Sequence, residues 1–541
     1  MRIAERKQIA SKKVMPFTIP SGIVTTEVSC LERIAKEIPE IGILTTKSIG
    51  PQPRAGNREP IFAQYIPGGF VNAVGLTNPG AEEFAKKLSS VSIPQDKFLL
   101  ASIFGKDASE FAYVAKTLDD YADGFELNLS CPHTKGYGMQ LGQDPQMVYE
   151  ITQTVAQTTK KPIFAKLTPN AGNIGEIAKS ALSAGAYGIV AINTVGPGYH
   201  SVEGHPVLTN KIGGLSGIGI TPIGLKCIRD IRQAVGEGIP IIGMGGIRTV
   251  KDVEDYASVG ANFFGIGSAL AGMTEQQIKY YFSALREDLD SNGRTNNALA
   301  LLKEINMNYR KVRLNSIVNS DYDFKIYRSD EEIDAKPGQF VFAWLPEVGE
   351  KPFSIMDNSP LTLGILERGE FTKKFSSLHK GDYFYVRGPY GIAPSVNDGE
   401  DVALVGGGCG IAGLYLFAKS LSKTNKVITF LGARDKQHLP YLKEFEDFTE
   451  VYIATEDGSL GKKGLVTDLL KEAELRKQGY FLNCGPKAMV EAVLPLELKV
   501  SNPERVYSSV DYMTRCGVGI CGSCADKKGR RTCVEGPFVS P

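Results

Sequence analysis

The stretch IPIIGMGGI, residues 239–247, is a short apolar run that ends in a pair of glycines. Its β-branched residues favour a buried strand, and glycine allows the chain to turn directly after that strand. The same pattern of apolar run, turn and helical segment occurs eight times before residue 290. The eight runs are IGILTTK (41–47), GFVNAVGL (69–76), KFLLASIFG (97–105), GFELNLS (124–130), PIFAKLTP (162–169), YGIVAINT (187–194), IPIIGMGGI (239–247) and FFGIGSAL (263–270).

This alternation predicts the architecture of the first half of the chain. Strands that alternate with helices at this spacing favour a parallel sheet with right-handed crossovers. Eight such units in about 250 residues predict a closed (β/α)8 barrel, a TIM barrel, whose active site lies at the carboxyl ends of the strands.

Polar residues and glycines follow most of these runs and therefore predict a site on one rim of the barrel. A single Lys or Asn after a strand is usually a turn residue, but five of the eight runs carry one and two more end in glycines. The glycines after the last two runs allow backbone amides to approach a phosphate, as in FMN. The rim residues are Lys47, Asn72, Asn128 with Cys131, Lys166, Asn193 with Thr194, Gly245 with Gly246, and Gly267 with Ser268.

The side chains of the rim indicate the chemistry of the bound molecule. Asparagine amides and the Thr194 hydroxyl pair with a small planar molecule rich in carbonyl and N–H groups, and Lys47 pairs with its carboxylate. Lys166 is placed to stabilise negative charge on a reduced flavin. Cys131 lies in a Pro/Gly-rich loop, where a cysteine is a base, a nucleophile or a small packed side chain.

Length and charge set broader limits. A chain of 541 residues needs two to four domains, and its 61 basic and 60 acidic residues give no reason to expect a nucleic acid or an anionic membrane as partner. The N-terminus MRIAERKQIASKKVMPF lacks the apolar stretch of a signal peptide. We therefore expect a soluble, cytoplasmic protein, in which clustered cysteines are ligands or catalysts more often than disulfides.

The motifs TTKSIGP (45–51), NAVGLTNPG (72–80), NLSCP (128–132), AKLTPN (165–170), AINT (191–194), NKIGGLSG (210–217) and IIGMGGI (241–247) resemble those of class 1 dihydroorotate dehydrogenases, over nearly all of residues 1–285. The resemblance implies that Cys131 is the general base and that His133 stands where family members often have Asn. It implies dihydroorotate or orotate binding by Lys47, Asn72, Val74, Gly75, Leu76, Asn128, Asn193 and Thr194. It also implies FMN contacts at Ser21, Gly22, Lys47, Asn128, Lys166, Ile192, Gly217, Gly245, Gly246, Gly267 and Ser268.

Residues 286–312 are polar and predict a linker or bridging helix. The segment 313–396 is rich in strand formers and Gly/Pro turns, which predicts a small antiparallel barrel. In 397–500, an apolar strand, a glycine turn and a helix predict an α/β nucleotide-binding domain.

The motifs KPFSI (351–355), GPYG (388–391) and GGGCGIAG (406–413) resemble the ferredoxin reductase superfamily, which implies FAD between two such domains and NAD(H) opposite it. Lys351 replaces the usual arginine of the first motif, and GARDKQHLPY (432–441) departs from the more acidic stretch expected there. The implied FAD contacts are Lys351, Pro352, Phe353, Ser354, Gly369 and Thr372.

The C-terminal tail, residues 501–541, contains four closely spaced cysteines. Cys516, Cys521, Cys524 and Cys533 have the spacing C-x4-C-x2-C-x8-C, which favours a 2Fe-2S cluster; a zinc site is the alternative, but it usually pairs two C-x2-C units. Residues 310–541 resemble the electron-transfer subunit of class 1B dihydroorotate dehydrogenases, which in that class is a separate polypeptide. A fusion of both subunits is therefore predicted.

The resemblance implies that electrons pass from dihydroorotate through FMN, the cluster and FAD to NAD+, and that the barrels form a homodimer. The tail is then expected to reach the mouth of the first barrel. Three alternatives stay open: a dihydropyrimidine dehydrogenase-like flavoenzyme, a dihydroorotate dehydrogenase with an acceptor other than NAD+, and an electron-carrying flavoprotein with a vestigial barrel.

Overall fold

The structure is a computed structural model that describes residues 3–129, 141–291, 293–319, 323–439, 441–473 and 479–541. The chain forms two compact units. The first unit comprises Met1–Asn306 with Val518–Arg530, and the second comprises Met307–Gly517 with Arg531–Pro541. The tail is thus divided between the two units, whereas the finer domain boundaries at 285, 312, 396 and 500 stay predictions.

The first unit is built on a closed barrel of eight parallel strands, which confirms the predicted (β/α)8 architecture. Each strand pairs with the next along the chain, and the last pairs with the first. The strands are Phe17–Ile19, Ile41–Thr45, Phe98–Ile103, Gly124–Asn128, Ile163–Leu167, Gly188–Ala191, Ile241–Met244 and Phe263–Gly265.

A helix follows each barrel strand in sequence. The start of Val250–Ser258 shows how the sequence specifies these helices, because Thr249 and Asp252 form a capping box there that satisfies two backbone amides. The helices are Val28–Glu37, Ala81–Leu88, Ala108–Leu118, Pro145–Thr158, Ile174–Ser183, Thr221–Val235, Val250–Ser258 and Glu275–Asp290, with a short ninth helix at Asn297–Ala300.

One predicted barrel strand is wrong. Gly69–Asn72 pairs antiparallel with Phe62–Ile66 across the Pro67-Gly68 turn, in a four-stranded sheet completed by Val195–Tyr199 and Ile212–Gly217. The first barrel strand is instead Phe17–Ile19, which sequence patterning missed because it is only three residues long and lies between Pro16 and Pro20.

Apolar side chains fill the barrel interior near the amino ends of its strands. Ile43, Phe98, Phe164 and Val190 belong to one buried cluster. The hairpin of Lys7–Ile9 and Lys12–Val14 adds Ile9 and Val14 to it. The bottom of the barrel is therefore packed, which leaves its carboxyl end for a site.

The second unit contains a closed antiparallel barrel and a parallel sheet, as predicted. The barrel strands, in spatial order, are Arg310–Asn319, Phe324–Ser329, Leu361–Leu366, Gly349–Asn358, Phe340–Leu345 and Tyr383–Tyr390. The sheet strands, in spatial order, are Lys462–Lys463, Glu450–Thr455, Lys426–Ala433, Asp401–Gly407, Tyr480–Cys484 and Val506–Ser509. The helices of this unit are Glu370–Phe375, Tyr415–Leu421, Leu442–Glu446, Val466–Glu472, Lys487–Glu497 and Thr532–Glu535.

Short 3-10 turns occur in both units, at Leu141–Gln143, Ile218–Ile220, Ser268–Leu270, Gly408–Leu414, Lys436–His438 and Pro503–Arg505. Among the described residues, no helix is both long enough and apolar enough to cross a membrane.

Candidate active site

A cavity lies at the carboxyl end of the eight-stranded barrel. Every described residue that the sequence predicted for substrate or FMN lines it, whereas Cys131 and His133 lie outside the described residues. Asn72 reaches the cavity from the antiparallel sheet rather than from a barrel strand. The predicted residues are Ser21, Gly22, Lys47, Asn72, Val74, Gly75, Leu76, Asn128, Lys166, Ile192, Asn193, Thr194, Gly217, Gly245, Gly246, Gly267 and Ser268.

Two buried lysines line the cavity. Lys47 is 9% exposed and Lys166 is 5% exposed. The Lys47 ammonium lies so close to Gly22 that a Cβ at residue 22 would stand 3.0 Å from its Nζ. Gly22, with a φ of +78°, therefore allows the lysine to reach the cavity.

The asparagines of the cavity are held by hydrogen bonds. Asn193 donates from Nδ2 to Oδ1 of Asn128 over 3.3 Å, and Thr194 donates its backbone N–H to Oδ1 of Asn193 over 2.8 Å. Asn72 donates from Nδ2 to the carbonyl of Gly214 over 3.3 Å. These bonds fix the orientation of the amides, so a planar partner rich in N–H and C=O groups meets a preorganised wall.

Glycines form a close-fitting backbone cradle beside the last two barrel strands. A Cβ on Gly217 would lie 2.0 Å from the carbonyl oxygen of Gly68, and a Cβ on Gly246 would lie 2.7 Å from that of Gly217. Gly245 and Gly246 have φ angles of +134° and +80° and lead to the helix Val250–Ser258. Such a cradle at a helix start fits the phosphate of FMN.

Replacing Gly246 with alanine tests this cradle. We expect FMN to bind at least about tenfold more weakly, because the added Cβ meets both Gly217 and the Thr221 hydroxyl and forces the backbone apart. Equilibrium dialysis of FMN against the refolded apoprotein measures the effect. Gly236→Ala is the matched control, since Gly236 has a φ of +75° but open space around its Cβ. Equal FMN affinities of the two variants would contradict the cradle.

Several residues that line the cavity were not predicted from the sequence. Ser48 directly follows Lys47 in the motif TTKSIGP, so its position was a usable signal. Phe62 and Ile220 come from the antiparallel sheet and a 3-10 turn, which no barrel pattern foresees. The others are Pro20, Ile23, Ile61, Ser216, Met244, Gly265 and Ile520.

The tail contributes to the same cavity from within the first unit. Ile520 and Cys521 both line it. The carbonyl of Ile520 accepts from the Val24 amide over 2.7 Å, and that of Cys521 accepts from the Thr26 hydroxyl over 2.7 Å. A Cβ on Gly522 would lie 2.5 Å from the Val24 carbonyl oxygen, so the two backbones pack tightly. The tail thus reaches the barrel mouth, as expected.

All four tail cysteines are buried, between 0% and 6% exposed. Gly517, Gly519 and Gly522 have positive φ angles, so the loop turns sharply between them. Cys521 and Cys524 belong to the first unit, and Cys516 and Cys533 to the second. Among the described residues no group of three or more His, Cys, Asp or Glu is arranged to hold a metal ion. The cluster therefore stays a prediction that rests on the donor set.

In the second unit, the predicted FAD residues come from two elements. Lys351, Pro352, Phe353 and Ser354 lie on the strand Gly349–Asn358, whereas Gly369 and Thr372 lie at the start of the helix Glu370–Phe375. The Phe353 ring stacks on Phe371 of that helix, with centroids 6.2 Å apart. The structure therefore brings the two groups of residues together, and their contact with FAD stays a prediction.

The glycine-rich turn of the parallel sheet follows the strand Asp401–Gly407. A Cβ on Gly413 would lie 3.3 Å from both the Ser354 hydroxyl and the Cys484 sulfur, so glycine permits this close approach. Burial raises the pKa of Cys484 to about 12, which keeps the thiol neutral near pH 7. This turn suits a nucleotide because it presents backbone rather than side chains.

Comparison with known proteins agrees with this geometry. The dihydroorotate dehydrogenase family model matches residues 7–283, and an oxidoreductase NAD-binding domain matches residues 404–494. The catalytic subunit of dihydroorotate dehydrogenase B (NAD+) from Methanocaldococcus jannaschii is 43% identical over 47% of this chain and 83% of its own length. The corresponding subunit of Pyrococcus horikoshii is 41% identical over 50% of this chain and 87% of its own length.

A solved structure of an NADH-dependent reduced ferredoxin-NADP oxidoreductase is 28% identical over 42% of this chain and 87% of the other, with a TM-score of 0.39, which is too low to establish a common fold. The family match, in contrast, spans more than half of the chain and contains every described residue of the barrel cavity except the two that the tail supplies. On this basis the chain belongs to the dihydroorotate dehydrogenase family.

Proposed function

We propose that this chain oxidises dihydroorotate to orotate and delivers the electrons to NAD+, a reaction of pyrimidine biosynthesis. One observation carries the proposal: in a member of this family, the described residues predicted for substrate and flavin all line one cavity at the carboxyl end of the barrel. The match of an NAD-binding oxidoreductase domain at residues 404–494 supports the acceptor.

The substrate is held by charge and by fixed amides. Lys47 pairs with the carboxylate of dihydroorotate, because a buried ammonium in a cavity favours an anionic partner. The hydrogen-bonded amides of Asn72, Asn128 and Asn193 pair with the N–H and C=O groups of the ring and set its orientation. This positioning presents the carbon–carbon single bond of the ring for oxidation.

The oxidation removes two hydrogens from that bond. Cys131, three residues after Asn128, would take the hydrogen on carbon 5 as a proton, and bound FMN would supply the hydride acceptor for the hydrogen on the adjacent carbon. Lys166 also lines the cavity, where its ammonium would stabilise negative charge on the reduced flavin.

The remaining cofactors belong to electron transfer. Cys516, Cys521, Cys524 and Cys533 would hold a 2Fe-2S cluster, which carries one electron at a time. The residues around Phe353 and Thr372 would hold FAD, and the glycine-rich turn would hold NAD(H). Thiolate ligands of this kind persist in a reducing cytoplasm, where we place the reaction. A homodimer formed through the barrels remains part of the proposal.

Replacing Lys47 with alanine tests the carboxylate contact. We expect orotate to bind at least roughly thirtyfold more weakly, since removal of one partner from a buried charge pair costs more than the loss of a surface ion pair. Lys226→Ala, which breaks an exposed pair with Asp230, is the control. Titration of the bound flavin with orotate measures both. A Lys47→Ala protein that binds orotate as well as the control would contradict the assignment.

Substrate comparison tests the proposal against a dihydropyrimidine dehydrogenase-like reaction. Dihydrouracil has the same ring as dihydroorotate but no carboxylate. Under anaerobic conditions, we expect dihydroorotate to bleach the flavin of the purified protein and dihydrouracil to leave it oxidised. If dihydrouracil bleached the flavin and dihydroorotate did not, the proposed function would be wrong and a dihydropyrimidine dehydrogenase-like reaction would be favoured.

A further inference from the structure

A buried carboxylate lies behind the wall of the cavity and has no part in the function described so far. Glu126 is 1% exposed and stands on the barrel strand Gly124–Asn128, between neighbouring strands that carry Ser102 and Lys166. Its Oε1 accepts from the Ser102 hydroxyl over 2.8 Å and pairs with the Lys166 ammonium over 3.3 Å. An unpaired buried carboxylate is costly, so these partners explain how it is accommodated.

The hydrogen bond to Glu126 fixes the donor and acceptor of each bond in a longer series of hydrogen bonds between hydroxyl groups. A hydroxyl group can donate one hydrogen bond, and a carboxylate can only accept. The Ser102 hydroxyl therefore donates to Glu126. The 2.9 Å bond between Ser48 and Ser102 must then be donated by Ser48. Because the Ser48 hydrogen is now used, the 3.0 Å bond between Ser21 and Ser48 must be donated by Ser21.

This series of hydrogen bonds ends at Asn128, which lines the cavity. Ser48 also accepts from Nδ2 of Asn128 over 2.9 Å, which fills its second acceptor position. Asn128 is thereby held with its amino group towards Ser48 and its carbonyl towards Asn193. The Asn128 amide is thus held on one side by hydrogen bonds that lead to a carboxylate outside the cavity, and on the other side by Asn193, which the Thr194 backbone amide orients.

We propose that Glu126 is a positioning residue of this active site: it pairs with Lys166 and, through Ser102 and Ser48, holds the Asn128 amide in its orientation towards the cavity. The inference rests on the proposed function, because the amides and the lysine act on orotate and on the flavin. It adds two residues, Glu126 and Ser102, that do not line the cavity.

The two roles of Glu126 are separable by mutation. Glu126→Gln removes a negative charge beside Lys166, so the site becomes more positive and the reduced, more negative flavin is favoured. The midpoint potential of the bound FMN is expected to move to a more positive value. Ser102→Ala keeps both charges but breaks the chain to Ser48, so orotate is expected to bind about tenfold more weakly with the midpoint potential unchanged.

The experiment uses the full chain with its flavin. Orotate is titrated against the protein with its FMN oxidised, and the absorbance change of FMN reports binding. The midpoint potential of FMN is measured by dye equilibration. Glu275→Gln, which alters a buried pair with Arg33 outside the cavity, is the control for charge, and Thr152→Val, which removes a buried hydroxyl from a barrel helix, is the control for Ser102→Ala. Neither control is expected to change either quantity.

The outcomes separate this inference from the proposed function. A wild-type protein that fails to bind orotate refutes the proposed function itself. If wild type binds orotate and Ser102→Ala binds it equally well, the positioning role is overturned, whatever the fate of Glu126→Gln. A folded Glu126→Gln protein with the midpoint potential of wild type overturns the charge role.

Discussion

Replacing Arg387 with methionine is expected to lower the free energy of unfolding of the second unit by about 3–5 kcal/mol. Arg387 is fully buried in the antiparallel barrel and makes two hydrogen bonds to Glu350, of 2.9 and 2.5 Å. Its guanidinium also donates to the Cys516 carbonyl over 2.9 Å and lies 3.9 Å from the centroid of the Phe342 ring. Methionine leaves the Glu350 carboxylate buried without its charge partner, which is the source of the cost.

The chain contains its own probe for this measurement. Trp344 is the single tryptophan, is 1% exposed and lies in the same barrel as Arg387. Its fluorescence during urea denaturation therefore follows the second unit. Arg505→Met, which removes a partly exposed partner of Glu400, is the control and is expected to cost no more than about 1 kcal/mol.

A double variant distinguishes a lost charge partner from lost packing. Arg387→Met with Glu350→Leu removes both charges, so much of the stability is expected to return, apart from about 1 kcal/mol for the Tyr309 hydroxyl that donates to Glu350. A double variant that is less stable than Arg387→Met alone would show that the pair does not act as described.

Replacing Cys131 with alanine is expected to slow reduction of the flavin by dihydroorotate at least about 100-fold, the usual contribution of a general base. Orotate and FMN should still bind, because neither the amides nor the glycine cradle is changed. In the wild-type protein the rate should rise with pH as the thiol ionises, since only the thiolate accepts a proton. Stopped-flow absorbance under anaerobic conditions measures these rates.

Cys227 supplies the matched control for this experiment. It is a buried cysteine of the helix Thr221–Val235, and burial raises the pKa of its thiol. Cys227→Ala is expected to leave the rate and its pH dependence unchanged. Reduction of the Cys131→Ala flavin at a near-normal rate would remove Cys131 from the mechanism.

Much of the site was predictable because barrel topology gathers residues that follow different strands. Lys47, Asn128 and Lys166 each lie at or just after a strand end, so the fold alone brings them together at one mouth. The error over Gly69–Asn72 did not remove Asn72 from the site, since the antiparallel sheet also faces the cavity. The Pro-Gly turn at 67–68 was the local signal for a hairpin.

The residues that sequence patterning missed depend on contacts that no local pattern contains. Glu126 lies within the apolar run GFELNLS, where nothing indicates that its partners are Ser102 and Lys166 on neighbouring strands. The packing of Gly522 on Val24 joins segments almost 500 residues apart in sequence, and only the fold shows it. The spacing of residues in the sequence thus predicts which kinds of ligand groups are present. The donor and acceptor of each hydrogen bond can be assigned only from the three-dimensional structure.

The central claim is that one chain couples the oxidation of dihydroorotate to the reduction of NAD+. It is tested most directly by incubating the purified protein with dihydroorotate and NAD+ without oxygen and measuring orotate and NADH together. We predict that the two products appear in equal amounts and that neither forms when the other substrate is left out. Failure of both orotate and NADH to form, in a protein shown to carry its flavins and iron, would contradict the claim.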